Sequence, residues 1–361
     1  MNFNTFFLRS FRVLLFPIAL IYGIILKLRN YLYDKNILKS TGFNLPIINV
    51  GNLSVGGTGK SPMVDYLVSL LKYQYRVATL SRGYKRRTKG YILAGEQSNA
   101  VEIGDEPMQF HLRHQDIAVA VGEQRIEAVP QLLYDRPETE VIILDDAFQH
   151  RAITPGFNIL LTDYNNLYTR DFYLPTGDLR DNISSYSRAD AIIVTKCPHD
   201  LTVEQANMLS AELAPMIHQQ LFFSAISYGL LYHIVSLTPR TFSKNTEVLL
   251  VCGIASPEPL TNYLNEQTSS YDAMYFNDHY IFSIDDLRDI RKRFEKLQGT
   301  DKMIVTTEKD AVRLMKFRQE IKDLPFYVLP ISTGFLFNGK PKFNDLIINF
   351  ISDFKKNNNH Q

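Results

Sequence analysis

Few cysteines, almost no net charge and no long unbroken apolar run set the first limits on this 361-residue chain. Its two cysteines, Cys197 and Cys252, each end an apolar run that reads as a buried strand. That excludes a disulfide-rich scaffold and leaves reduced core thiols, in keeping with a cytoplasmic setting. Lysine and arginine total 39 against 38 aspartate and glutamate, a net charge of +1, so no global field draws the chain to nucleic acid and basic function must be sought in local clusters. No internal repeat or low-complexity stretch occurs, and nothing marks an obligate protein partner. The uncharged run Val13 to Leu26 has fourteen residues, about 21 Å as a helix against a hydrocarbon core roughly 30 Å thick, which disfavours a lone spanning helix. Lys27-Leu28-Arg29-Asn30 follow it where a secretory signal would carry small residues for cleavage, which argues against such a signal. Two readings of residues 1–35 stand: an apolar helix packed on the body, or one lying in a membrane interface between the basic flanks Arg9, Arg12, Lys27 and Arg29. The interfacial reading is preferred, and Pro17 and Gly23 are expected to bend the helix in either case.

What the chain does have is a strong organising stretch. The run Ile47 to Val50 reads as a short buried strand, a glycine-rich turn follows, and Lys60-Ser61 opens a helix to about Leu71. Gly56, Gly57 and Gly59 let backbone N–H groups converge on phosphate oxygens at a helix N-terminus, where the dipole also favours an anion. Residues Ser54, Val55, Gly56, Gly57, Thr58, Gly59, Lys60 and Ser61 are therefore the expected nucleotide cradle, with Lys60 reaching the β- and γ-phosphates and Ser61 a magnesium ion. Ser54 stands where the usual motif has its first glycine. The paired glycines look more like the loop of ParA-type nucleotidases, whose extra lysine position is filled here by Val55. A ParA-like or metallochaperone-type nucleotidase that switches partners is thus the rival function.

Beyond this loop, strand-like runs alternate with helical ones, which predicts an α/β fold with a mostly parallel sheet covered on both faces and ligands at the strands' carboxyl ends. A phosphate-loop domain over 36–220, a two-stranded linker over 221–240 and a smaller α/β unit over 241–361 with a polar, frayed tail are expected. Val141 to Leu144 is a buried strand that ends in Asp145-Asp146; one of these carboxylates is expected at the magnesium ion, the alternative being a pair of solvated turn acids. Asp105, in Gly104-Asp105-Glu106-Pro107, precedes a helix and suits an N-cap. Ser81 to Lys89 concentrates Arg82, Lys85, Arg86, Arg87 and Lys89 after a strand, either a solvated tip or a receptor for phosphates of a lipid or its headgroup. Thr195-Lys196-Cys197-Pro198 carries proline where GTPases place the aspartate that reads guanine, which favours ATP.

Taken together, Gly56-Gly57-Thr58-Gly59-Lys60-Ser61-Pro62, Ser81-Arg82-Gly83-Tyr84, Gly104-Asp105-Glu106-Pro107, Asp145-Asp146-Ala147-Phe148-Gln149-His150, Gly253-Ile254-Ala255-Ser256-Pro257, Asp278-His279-Tyr280 and Thr307-Glu308-Lys309-Asp310-Ala311 occur in an order that resembles the tetraacyldisaccharide 4'-kinases of lipid A synthesis. The resemblance spans nearly the whole chain. It implies ATP- and Mg2+-dependent phosphorylation of the 4'-hydroxyl of an acylated glucosamine disaccharide 1-phosphate at the cytoplasmic face of the inner membrane. It further implies Asp105 as the base that takes the hydroxyl proton, supported by His279. Asn52, Arg82 and Tyr84 are expected at the substrate, with Tyr84 against a sugar face. Arg125 and Arg180 are expected near the transferred phosphoryl group, where an arginine stabilises charge on the equatorial oxygens.

Overall fold

The computed structural model of the protein describes residues 12–254 and 257–358. Its strands in chain order are β1 (Ile47–Asn52), β2 (Val77–Ser81), β3 (Ile92–Leu93), β4 (Ala118–Val121), β5 (Val141–Asp145), β6 (Phe157–Asp163), β7 (Ala191–Thr195) and β8 (Gln220–Tyr228). They continue with β9 (Leu231–His233), β10 (Pro239–Arg240), β11 (Glu247–Cys252), β12 (Ser270–Tyr275), β13 (Lys302–Thr307), β14 (Phe326–Leu329) and β15 (Ile331–Phe335). The principal helices are α1 (Phe16–Asp34), α2 (Lys60–Leu71), α3 (Asp105–Arg113), α4 (Arg125–Asp135), α5 (Val203–Leu213), α6 (Glu258–Gln267), α7 (Ile284–Glu295), α8 (Glu308–Leu314) and α9 (Gly339–Asn358).

Two sheets result. The larger runs β15-β8-β7-β6-β1-β5-β2-β4-β3 and the smaller β10-β9-β14-β13-β11-β12. Strands β1, β2 and β4 to β8 pair in parallel, and every residue of β1 and β5 is buried. Burial along the whole length of a strand is the mark of a sheet covered on both faces. On one face Ile48 and Val50 meet Met63, Val64 and Leu67 of α2 and Phe343, Ile347 and Ile351 of α9. On the other, α4 packs on Ala78, Leu80 and Ile142, and α5 packs on Leu160, Ile192 and Val194.

The connection between the sheets differs from the expected linker. Strand β8 joins the larger sheet beside β7, whereas β9 belongs to the smaller one. The second unit also ends sooner than expected, because β15 pairs antiparallel with β8 and α9 packs on the first sheet. Helix α9 carries Phe343, Ile347 and Ile351 on one stripe, each fully buried. At roughly 1.5–3 kcal/mol per buried large apolar side chain, leaving that stripe in water would forfeit several kcal/mol. The tail is correspondingly helical through Asn358 rather than frayed from Asp353.

Helix α1 is docked and exposed at once. Ala19, Gly23, Leu26 and Asn30 form its buried stripe. The Asn30 amide donates to Asp181 Oδ1 at 2.8 Å, and a Cβ on Gly23 would lie 2.7 Å from the Tyr173 ring. Val13, Leu14, Ile18, Leu20, Ile21, Ile24, Ile25 and Leu28 are exposed. Pro17 sits in the first turn, where its missing N–H is not needed, and the helix runs unbroken through Gly23. Among the described residues no helix is long and apolar enough to cross a membrane.

Candidate active site

The phosphate loop leaves the carboxyl end of β1 and enters α2 at Gly59, whose φ of +83° is a left-handed conformation that a side chain would strain. Neighbouring segments brace the loop. Val55 N–H donates to Asp178 O at 2.7 Å and Arg180 N–H to Leu53 O at 2.8 Å. The Thr195 hydroxyl donates to Thr58 O at 2.9 Å, and the Asn52 amide donates to the Thr58 hydroxyl at 2.7 Å. Ser54 and Thr58 are buried, while Val55, Gly56 and Gly57 are exposed, so the crest of the loop is backbone open to an anion.

Strand β5 lies next to β1 and delivers Asp145 and Asp146 beside α2. Asp146 has φ +55° and carries two cations: Arg180 grips both its oxygens, Nη1 to Oδ2 at 2.9 Å, and Lys60 Nζ lies 3.7 Å from Oδ1. Burial works against its charge, but the Arg180 bond and the Lys60 field outweigh it and hold the carboxyl down at about 2. Asp145 differs. It is buried, its Oδ1 has no hydrogen-bond partner, and burial with the neighbouring Glu106 and Asp146 charges pushes it up to about 7. The alternative reading of two solvated turn acids does not describe this pair.

Two expected contacts turn out to be supports. Asn52 is fully buried, and its side chain joins the Thr58 hydroxyl to the Arg180 guanidinium, so it braces the loop rather than facing a substrate. Arg125 is 1% exposed, and its guanidinium donates to the carbonyls of Gly122, Glu123 and Asp145. Its Nη1 and Nη2 are held by these carbonyls and its Nε is buried without a partner, so the guanidinium supports the backbone of Asp145 from behind. It also lines a small cavity with His150, whose imidazole is pushed down to about 4 by burial and by the Arg125 and Arg82 charges.

At the other side of the loop, α3 opens with Asp105. Gly104, at φ +97°, takes the cap position, where a Cβ would lie 3.1 Å from Tyr84 O, and no side chain caps the helix. The N-cap reading of Asp105 is thereby overturned. Its carboxylate instead meets the second unit: His279 Nδ1 lies 3.0 Å from Asp105 Oδ2, and Arg313 Nη2 of α8 lies 2.8 Å from the same oxygen. Burial raises the Asp105 carboxyl, but the bonds from Arg313 and His279 prevail and leave it below its ordinary value. His279 occupies a left-handed turn at φ +63°, and its ring stands 6.0 Å from that of Tyr84. Tyr84 and Arg82 are both exposed here. Of the basic cluster, Arg86 is used internally, donating to Gly90 O and to Glu123 at 2.7 Å.

Sequence reasoning missed three participants. Glu106, inside a motif valued for its neighbour, accepts from the Ser61 hydroxyl at 3.1 Å and lies 3.4 Å from Lys309 Nζ. Arg313 stands just beyond the quoted Thr307 to Ala311 motif, and only its i,i+3 spacing from Asp310 hinted at a role. Arg113 reaches Glu308 across the two units at 2.7 Å and Asp65 at 3.3 Å, a pairing no local pattern announces.

The family profile described as Tetraacyldisaccharide-1-P 4'-kinase matches residues 11–352. The chain belongs to this family. A tetraacyldisaccharide 4'-kinase of Bacteroides thetaiotaomicron is 45% identical over 359 residues, covering 95% of this chain and 94% of the relative. One of Flavobacterium johnsoniae is 44% identical over 343 residues, covering 95% and 98%. The crystal structure of Aquifex aeolicus LpxK, described as an "apo" form in complex with ATP, superposes with a TM-score of 0.74 at 28% identity, covering 94% of this chain and 99% of that one. A family match of this extent does not favour the ParA-like or metallochaperone-type alternative, and the mixed α/β architecture with a large, mostly parallel sheet is the one expected.

Proposed function

We propose that this tetraacyldisaccharide 4'-kinase family member transfers the γ-phosphoryl group of ATP to the 4'-hydroxyl of a tetraacylated glucosamine disaccharide 1-phosphate, the lipid A precursor, with Asp105 as the base. The observation that carries the mechanism is the bond between Asp105 and His279, which assembles a proton acceptor from two units at the edge of a phosphate loop. The hydroxyl oxygen bonds to the γ-phosphorus as the bond from that phosphorus to the bridging oxygen breaks, the electron pair leaves on ADP, and the hydroxyl proton passes to Asp105. Lys60 and Arg180 supply positive charge where the phosphoryl oxygens gather it. Tyr84, exposed beside His279, offers its ring to the sugar, and exposed Arg82 is open to a phosphate.

Magnesium fits the residues present. Asp145 presents a buried oxygen without a partner, the Ser61 hydroxyl stands at the start of α2, and Asp146 is already committed to Arg180. Asp145 and Ser61 are therefore the better holders, with Asp146 behind them. Among the described residues no group of three or more His, Cys, Asp or Glu side chains could hold a metal by itself, which suits an ion that keeps waters and phosphate oxygens as ligands. When bound, the ion neutralises charge on the phosphates.

The exposed apolar face of α1, with exposed Lys27 along it, supports peripheral attachment to the cytoplasmic face of the inner membrane, where the acyl chains of the substrate lie. Incubation with ATP, magnesium and an acylated disaccharide 1-phosphate tests the activity. A product with a second phosphate on the 4'-oxygen is expected, and ATP hydrolysis with no phosphorylated lipid would defeat the reading.

A further inference from the structure

Several donors converge on one oxygen of Asp105 and leave the other free. Arg313 Nη2 lies 2.8 Å and its Nε 3.2 Å from Oδ2, and His279 Nδ1 lies 3.0 Å from that same atom. Oδ1 has no hydrogen-bond partner among the described residues. Arg313 is itself fixed: its side chain is 7% exposed and its Nη1 is 3.4 Å from Asp310 Oδ1. Asp310 is fully buried and accepts from Gly253 N–H at 2.9 Å and from the Thr307 hydroxyl at 2.8 Å. A continuous polar chain thus runs from the backbone of the second unit to the carboxylate at the head of α3.

The chemistry distinguishes the two partners of Asp105. A guanidinium only donates and an ionised carboxylate only accepts. His279 Nδ1 lies 2.9 Å from Arg313 Nη2 as well as 3.0 Å from Asp105, so with a proton it bonds Asp105 and without one it accepts from Arg313. In either tautomer the two contacts from Arg313 to Oδ2 persist, which makes the guanidinium the constant member of the group.

We propose that Arg313 is a positioning residue for the phosphoryl transfer, clamping Oδ2 of Asp105 so that Oδ1 is the atom offered to the acceptor hydroxyl. This rests on Asp105 being the base. Without the clamp the carboxylate rotates about its χ angles, and misplacement by about 1 Å in such a step costs on the order of 10²-fold in rate.

The test compares Arg313→Met, which keeps bulk but not charge, with Arg313→Lys, each alone and on an Asp105→Asn background, at saturating ATP with thermal unfolding recorded in parallel. Arg313→Met is expected to lower kcat roughly 10- to 100-fold with KM for ATP unchanged. Arg313→Lys should restore part of that loss, and neither change should slow Asp105→Asn further, because groups acting as one unit are not additive. Unchanged kcat in Arg313→Met, a defect confined to KM for ATP, or a full additional loss on the Asp105→Asn background each overturns the proposal. If Arg313→Met does not fold, Arg313→Lys decides: a single ammonium cannot reproduce both contacts to Oδ2, so several-fold loss supports the clamp and parental kcat refutes it. Parental activity in Asp105→Asn itself removes the base and the clamp together, whereas an inactive Asp105→Asn beside a fully active Arg313→Met removes only the clamp.

Discussion

Arg180 grips Asp146 through two guanidinium nitrogens, with Nη1 2.9 Å from Oδ2, although 34 residues separate the pair. The same guanidinium bonds Asn52 at the end of β1, so one arginine ties the strand-end carboxylate to the base of the phosphate loop. Arg180→Ala should therefore lower kcat by roughly 10²-fold, the range for losing a donor aimed at developing charge. Phosphate transfer at saturating substrates measures it, and a rate within two- or three-fold of the parent would show the pair to be structural only.

Lys60→Ala is expected to abolish transfer while leaving the fold intact. The side chain is 15% exposed, and its ion-pair neighbour Asp146 retains Arg180 when it is gone. Thermal unfolding should move little. Persistence of phosphorylation near the parental rate would contradict the assignment of the loop.

Asp105→Ala and His279→Ala should each reduce kcat by roughly 10²–10⁴, the range for a general base, and the double variant should cost little more than Asp105→Ala. KM for ATP should hold. A double-mutant kinetic cycle checks this, and fully additive losses would dissolve the pairing seen at 3.0 Å.

Glu308 supplies a pH test away from the reacting atoms. Burial pushes its carboxyl up to about 7 despite the attraction of Arg113, so the folded state prefers the neutral form. The stabilisation is complete below the ordinary value near 4.5 and is lost as pH rises through about 7, by at most about 3 kcal/mol. Glu308→Gln cannot ionise, so its Tm should gain on the parent's between pH 5 and pH 8. A difference that stays flat, or moves the other way, would make the Arg113–Glu308 ion pair a net stabiliser.

Ile18, Ile21 and Ile25 are each more than half exposed on α1, on the side away from the docked stripe of Ala19, Gly23, Leu26 and Asn30. Replacing all three by glutamine should leave Tm nearly unchanged and cut vesicle binding at least tenfold, since about 25 cal/mol per Å² of buried apolar surface adds to several kcal/mol over three isoleucines. Flotation with anionic vesicles measures it. Equal flotation of parent and variant would leave α1 as a packing helix alone.

The order of elements and the phosphate loop were determined by the sequence itself, because strand and helix periodicity and the glycines before Lys60 act within a few residues. The identity of Asp105 and His279 as a pair was legible only through family resemblance, and which oxygen they share was not legible at all. Local pattern could not tell that Asn52 and Arg125 are buried and bonded within the protein, since a polar side chain near a motif looks the same in sequence whether it faces a ligand or braces a backbone. It also ended the second unit in the wrong place: α9 has an amphipathic stripe, but only packing decides which sheet that stripe covers. Arg313, Glu106 and the Arg113–Glu308 contact were decided by tertiary structure alone. They join segments from 45 to 208 residues apart, and a bond between such distant groups depends on where two sheets come to rest, which no window of sequence contains.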